Sequence, residues 1–303
     1  SKADRYKYFD IANLNVDTTL PYKEDSFTKE FGDEFIFIKR PSYMASIYVG
    51  KPAGTISETE RAPFRIPDPV KEDVDPNTDP SNLASVSVYQ NSPMTGGGLS
   101  MFWTPQFGNA VLGGSWSPLV HHGLIAVKDG KRYWENYTST NAQWTVQDSI
   151  LNVSGYLEIG GILYNRQYTF HDHLIAVNLN LFSLISTNME TFVENIPLLT
   201  CTSNNCNPVT GIKNIKSFGS TIVSLTNVPL NGENQVDGFR IIDSTGVGAQ
   251  FLFANSQTIK VYPHGMREID NNSELQIGRV EIVIPEISDG GSYSLSYIIL
   301  PYT

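Results

Sequence analysis

Apolar and polar residues alternate with a period of two along most of the chain. Glu34–Lys39 reads EFIFIK, and the same rhythm recurs at Tyr43–Val49, Ser85–Tyr89, Leu124–Val127 and Ile162–Phe170. It continues at Leu174–Phe182, Thr221–Leu225, Gln257–Tyr262, Leu275–Ile284 and Ser292–Leu300. β-Branched and aromatic residues dominate these runs, which is the pattern of a strand with one buried face. Turn formers separate them: Asp129-Gly130, Asn231-Gly232, Thr245-Gly246 and Asp289-Gly290-Gly291. No stretch carries long helical spacing; Ser26–Phe31 is the best local helix candidate, at one or two turns. Connections this short leave no room for crossover helices, so the strands pair antiparallel. Fifteen strands or so exceed one open sheet and predict two or more stacked sheets.

The fold class is therefore all-β: a large antiparallel multi-stranded sandwich, super-sandwich-like, with very little helix. Residues 1–303 read as a single unit. Two segments interrupt the rhythm. Within residues 51–82, Ser57–Pro80 carries Pro63, Pro67, Pro69, Pro76 and Pro80 among seven acids and three bases. It has no face to bury and reads as an exposed acidic loop. A possible seam lies near 200–217, where Cys201 and Cys206 sit among turn formers; a short disulfide and two reduced thiols are both open there.

Composition narrows the partners. The chain is 40% hydrophobic and 11% aromatic, enough for a real core, and no apolar run is long enough to span a membrane. A net charge of −10 argues against nucleic acid and against an anionic membrane surface. The expected setting is secreted, periplasmic or cell-surface. Sequons at Asn136, Asn152 and Asn271 arise easily in a chain this rich in Asn, Ser and Thr and add little.

Candidate chemistry gathers in one region. All four tryptophans, Trp103, Trp116, Trp134 and Trp144, fall close together with Tyr133, after the glycine run Gly96-Gly97-Gly98. Sugar rings stack on aromatic faces, so Trp103, Trp116, Tyr133 and Trp134 are the candidate glycan-binding residues. Core filling is the competing role for each. His171-Asp172-His173 sits between two strand patterns and reads as a solvated turn. Of His121-His122, only one can face a cleft, where it would serve as a base or neutralise a carboxylate; a structural histidine is the leading alternative. No phosphate loop, nucleophile elbow, dinucleotide fingerprint or zinc motif occurs, so no cofactor and no metal are expected.

Three runs resemble the β-sandwich portion of heparinase II/III-type polysaccharide lyases and their relatives. They are Gly97 to Pro105 (GGLSMFWTP), Val120-His121-His122-Gly123-Leu124 with Arg132-Tyr133-Trp134, and Tyr164 to Phe170 followed by Leu174-Ile175-Ala176-Val177. The resemblance covers residues 30–200. It implies a super-sandwich that in the family follows an α/α toroid, which supplies much of the cleft and key catalytic residues. It also implies that a lyase site here would need a carboxylate neutraliser, a base (Tyr or His) and an acid (often Tyr), for which His122, Tyr164 and Arg166 are the candidates. This chain has no helical domain, so the leading expectation is a non-catalytic or accessory module of polysaccharide processing that binds glycan through exposed aromatics. An active lyase cleaving an acidic glycan by β-elimination, and a structural or adhesion protein, are the alternatives.

Overall fold

A computed structural model describes residues 24–31, 35–49, 96–112, 122–129, 131–134, 143–157, 161–201, 214–218, 235–243, 245–270 and 273–303. Among these residues there is no helix; seventeen strands, all paired antiparallel, make up the architecture. The acidic proline-rich loop, the strand patterns at Ser85–Tyr89 and Thr221–Leu225, Trp116, His121 and Cys206 lie outside the described residues.

The first sheet has five strands in chain order: β1 (Phe27–Phe31), β2 (Phe35–Arg40), β3 (Tyr43–Tyr48), β4 (Gly98–Thr104) and β5 (Gly108–Leu112). The helix candidate at Ser26–Phe31 is corrected here. Phe27 through Phe31 pair in register with Lys39 through Phe35. Six residues cannot hold an isolated helix in water, whereas a neighbouring strand satisfies their backbone at once.

The remaining strands form a twelve-stranded sheet. These are β6 (Gly123–Lys128), β7 (Lys131–Trp134), β8 (Gln143–Gln147), β9 (Ile150–Leu157), β10 (Ile162–Phe170) and β11 (Ile175–Ser183). Then come β12 (Thr191–Cys201), β13 (Asn214–Phe218), β14 (Gln235–Ile242), β15 (Gly248–Asp270), β16 (Ser273–Val283) and β17 (Ser292–Tyr302). The strand order runs β7-β6-β12-β16-β15-β17-β11-β10-β9-β8, with β14 and β13 branching from β15. The long β15 bridges two halves. Its first part pairs with β14 and β17, and its later part, from Ile259 on, pairs with β16.

The sheet doubles back on itself. Strands β12 and β10 are five steps apart in the order, which on a flat sheet is about 24 Å at ~4.8 Å per step. Yet Glu194 on β12 and Arg166 on β10 touch at 2.6 Å. Only face-to-face folding of the two halves brings them together, and this is the predicted sandwich. Strand β10 shows the pattern that drives it. Ile162, Tyr164, Arg166, Tyr168 and Phe170 are buried, while Leu163, Asn165, Gln167 and Thr169 face outward.

The first sheet closes over one end of this sandwich. Tyr43 donates its hydroxyl to the His171 carbonyl at 2.9 Å, and burial raises that phenol's pKa above its usual value. The β4 strand enters so close to β9 that a Cβ at Gly97 would lie 2.7 Å from Val153, and Gly97 has φ +86°. Glycine is required there for both reasons. Within the run Gly96-Gly97-Gly98, Gly97 thus serves close packing.

Candidate functional site

Two constellations stand out, one inside the sandwich and one on its surface. The internal one centres on His122, just before β6, where the first sheet and both halves of the second meet. The Leu99 amide donates to His122 Nδ1 at 3.0 Å, so Nδ1 is the acceptor and Nε2 carries the proton. Nε2 then donates to Tyr297 Oη at 2.7 Å, and Tyr297 donates to Glu194 Oε1 at 3.2 Å. The second carboxylate oxygen of Glu194 accepts from the Arg166 guanidinium at 2.6 Å. Tyr168 donates to the Gly97 carbonyl at 2.6 Å, and Tyr164 reaches the Gly96 carbonyl at 3.3 Å.

Burial sets the electrostatics of this chain of bonds. Desolvation first, and the nearby Arg166 second, hold His122 well below its usual pKa, so the ring is neutral. Desolvation, the Glu194 carboxylate and Tyr168 push Tyr297 well above the usual phenol value, against a lowering by Arg166. A charged imidazolium here would have to present a proton to the Leu99 N–H, which already points at Nδ1. The arrangement is one of fixed donors and acceptors around a buried ion pair.

The structure does bring His122, Tyr164 and Arg166 together, as the lyase reading requires, but inside the protein. Their exposures are 1%, 3% and 0%. Glu194, Tyr297 and Tyr168 complete the cluster and were not singled out from sequence. Glu194 did carry a signal, as an acid within the apolar strand run Phe192-Val193-Glu194-Asn195-Ile196.

The candidate binding aromatics divide. Trp103 is half-buried and alternates with the buried Phe102 and Thr104, so it faces outward from the first sheet. Trp144 is also half-buried but packs against the core. Tyr133 and Trp134 lie on β7, paired with Ala126 and Ile125; their side chains, and all of Trp116, are outside the described residues. His171-Asp172-His173 is the exposed turn between β10 and β11, as expected.

The surface constellation lies on the outer face of β8, β9, β10, β11 and β17. Register aligns Thr145, Asn152, Gln167, Asn178 and Ser296 in one row across five strands. A second row runs Ser154, Asn165, Asn180 and Ser294. Gln167 donates to Asn152 Oδ1 at 2.9 Å, and Ser294 donates to Asn180 Oδ1 at 2.8 Å. At the β8–β10 end a groove of about 870 Å³ opens, lined by Thr145, Gln147, Asn152, Gln167, Thr169 and His171 among others. Among the described residues its lining includes two carboxylates, Asp148 and Asp172, and no lysine or arginine.

No group of three or more His, Cys, Asp or Glu side chains converges as a metal site among the described residues. Nor does any helix there have the length and apolarity to cross a membrane.

No protein-family model matches the chain, and no curated protein matches it in sequence. Solved structures match its fold. A heparan sulfate lyase HepC mutant from Pedobacter heparinus superimposes over 91% of this chain, at a TM-score of 0.52 and 9% identity. That match takes in 36% of the lyase, so the chain spans about a third of that protein's length. A chondroitinase AC lyase covers 96% of this chain and 39% of its own length, at a TM-score of 0.48 and 11% identity. The likeness to the heparan sulfate lyase is one of fold: the chain is an all-β sandwich of the kind found in a polysaccharide lyase.

Proposed function

We propose that this chain is a non-catalytic β-sandwich module of extracytoplasmic polysaccharide processing, and that it holds glycan on its surface. The observation that carries the proposal is the groove at β8–β10. It is open and uncharged over most of its lining, with amide and hydroxyl groups at regular strand spacing. Ligand sites are concave with a few polar groups in fixed positions, and sheet-borne side chains hold position better than loop-borne ones. The fold it shares with a heparan sulfate lyase points to polysaccharide as the ligand class. Trp103, outward on the first sheet, is a second contact for a long chain, with Trp116, Tyr133 and Trp134 as further candidates.

The convergence of His122, Tyr164 and Arg166 is the observation favouring an active lyase. That reading needs the three to reach a substrate, and all three are buried, with the His122 ring nitrogens, the Tyr164 hydroxyl and the terminal nitrogens of Arg166 bonded to protein. The module reading assigns them to holding the sheets together. Pelleting with insoluble polysaccharides, combined with ultraviolet absorbance of the soluble products, tests the proposal. Binding with no unsaturated product is expected. Release of unsaturated oligosaccharides would overturn the non-catalytic reading, and failure to bind any polysaccharide would overturn the module itself.

A further inference from the structure

We infer that the glycan held on this face is neutral, and that it lies across the strands along the two amide and hydroxyl rows. The inference rests on the module reading above and adds the ligand's charge class and its track. In a chain with 31 acids and 21 bases, an outer sheet face carries charge by default. Here the five positions of the first row and the four of the second are all Asn, Gln, Ser or Thr. Strand β17 contains no charged residue at all from Ser292 to Tyr302. The single base of β10, Arg166, points inward to Glu194.

The groove sharpens the case. A uronate or sulfate entering it would meet Asp148 and Asp172, with no lysine or arginine among the described lining residues to offset them. Arg40 reaches Ser149 and Phe170 at its edge, but its guanidinium also binds the carbonyls of Phe27 and Lys39 and the Thr28 hydroxyl. It is 7% exposed and committed to the junction of the two sheets. Sugar hydroxyls, by contrast, both donate and accept, which is what Asn and Gln amides match without charge. From β8 to β17 the row crosses four strand gaps, ~19 Å at ~4.8 Å each, a length suited to several sugar rings of one chain.

The test uses the whole chain in affinity electrophoresis and calorimetry. The probes are a soluble β-glucan, a galactomannan and a xylan on the neutral side. Heparan sulfate, chondroitin sulfate and polygalacturonate stand on the acidic side. At least one neutral polymer should bind, with an affinity unchanged as salt is raised, because no charge pair is there to screen. Asn152→Ala, Gln167→Ala and Asn178→Ala should each weaken that binding about 3- to 10-fold, the loss of one or two neutral hydrogen bonds. Their melting temperatures should stay near that of the parent, as is usual for surface changes. Binding of acidic polymers alone would overturn the neutral assignment while leaving the module reading standing. Neutral binding that survives all three substitutions would overturn the track. No binding to either set would overturn both readings.

Discussion

Replacing Glu194 by Gln removes one charge and almost no volume, and it isolates what the internal network contributes. In the native protein Glu194 accepts from Arg166 through one oxygen and from Tyr297 through the other, with His122 Nε2 also 3.3 Å from that second oxygen. An amide has one acceptor and one two-proton donor. Whichever way the substituted amide turns, its NH2 faces either the guanidinium or the Tyr297–His122 donors. Arg166, at 0% exposure, is then left with its charge uncompensated. Breaking a buried pair in this way costs about 3–5 kcal/mol. With about 2.1 cal/mol/K of unfolding entropy per residue over 303 residues, that is a fall of about 5–8 °C in Tm. Scanning calorimetry reads it directly. The double variant Glu194→Leu with Arg166→Met should recover most of the loss, since a buried pair replaced whole by apolar groups is often neutral or better. A Tm drop below about 2 °C in Glu194→Gln would refute the reasoning. So would a double variant whose loss equals the sum of its singles, because that shows no coupling.

Further expectations concern pH, backbone and aromatics. His122 titrates near 6.5 when unfolded and well below that when folded. The unfolded chain therefore takes up a proton that the folded one refuses, and stability falls as pH drops below about 6.5, by up to ~1.4 kcal/mol per unit. Denaturant midpoints at about pH 7.5 and about pH 5.5 should show this slope, and His122→Gln should flatten it; unchanged stability in the parent would contradict the neutral, buried imidazole. Gly97→Ala should destabilise more than Gly108→Ala. Both have positive φ, costing about 1–2 kcal/mol, but only Gly97 adds a clash with Val153, whereas nothing lies within 4 Å of a Cβ at Gly108. Equal losses in thermal melts would sink that claim. Trp144→Ala should lower Tm more than Trp103→Ala, since Trp144 packs on the core and Trp103 faces outward; the reverse order would reassign the two.

The strands were largely legible in the alternation because a one-residue slip would turn every buried side chain outward. Ile162–Phe170 matches its strand to the residue. The same alternation, followed strictly, also places Arg166 in phase with Tyr164 and Tyr168, on the inward face. The family resemblance singles out Arg166 as a catalytic candidate; its phase marks it as buried. The helix candidate at Ser26–Phe31 failed for a related reason: local spacing says nothing of β2, which supplies its hydrogen bonds. The network partners Glu194 and Tyr297 come from β12 and β17, over a hundred residues apart in sequence, and only the folding back of the sheet joins them. The surface rows were hidden in the same way. Asn152, Gln167 and Asn178 each look like an ordinary outward polar position, and the ladder exists only once the register of β9, β10 and β11 is known.

The central claim is that glycan meets the outer face of β8–β11 and β17 while the His122 network stays sealed. Side-chain amide NMR of the uniformly labelled chain, titrated with oligosaccharides of the neutral polymer that binds, tests it most directly. The amide signals of Asn152, Gln167, Asn165 and Asn178 should shift in a saturable manner. Those of Gln257 on β15, which is tied to Tyr293, and the ring signals of His122 should stay in place. Shifts concentrated at His122, or confined to the indole of Trp103 with the row amides unmoved, would contradict the account.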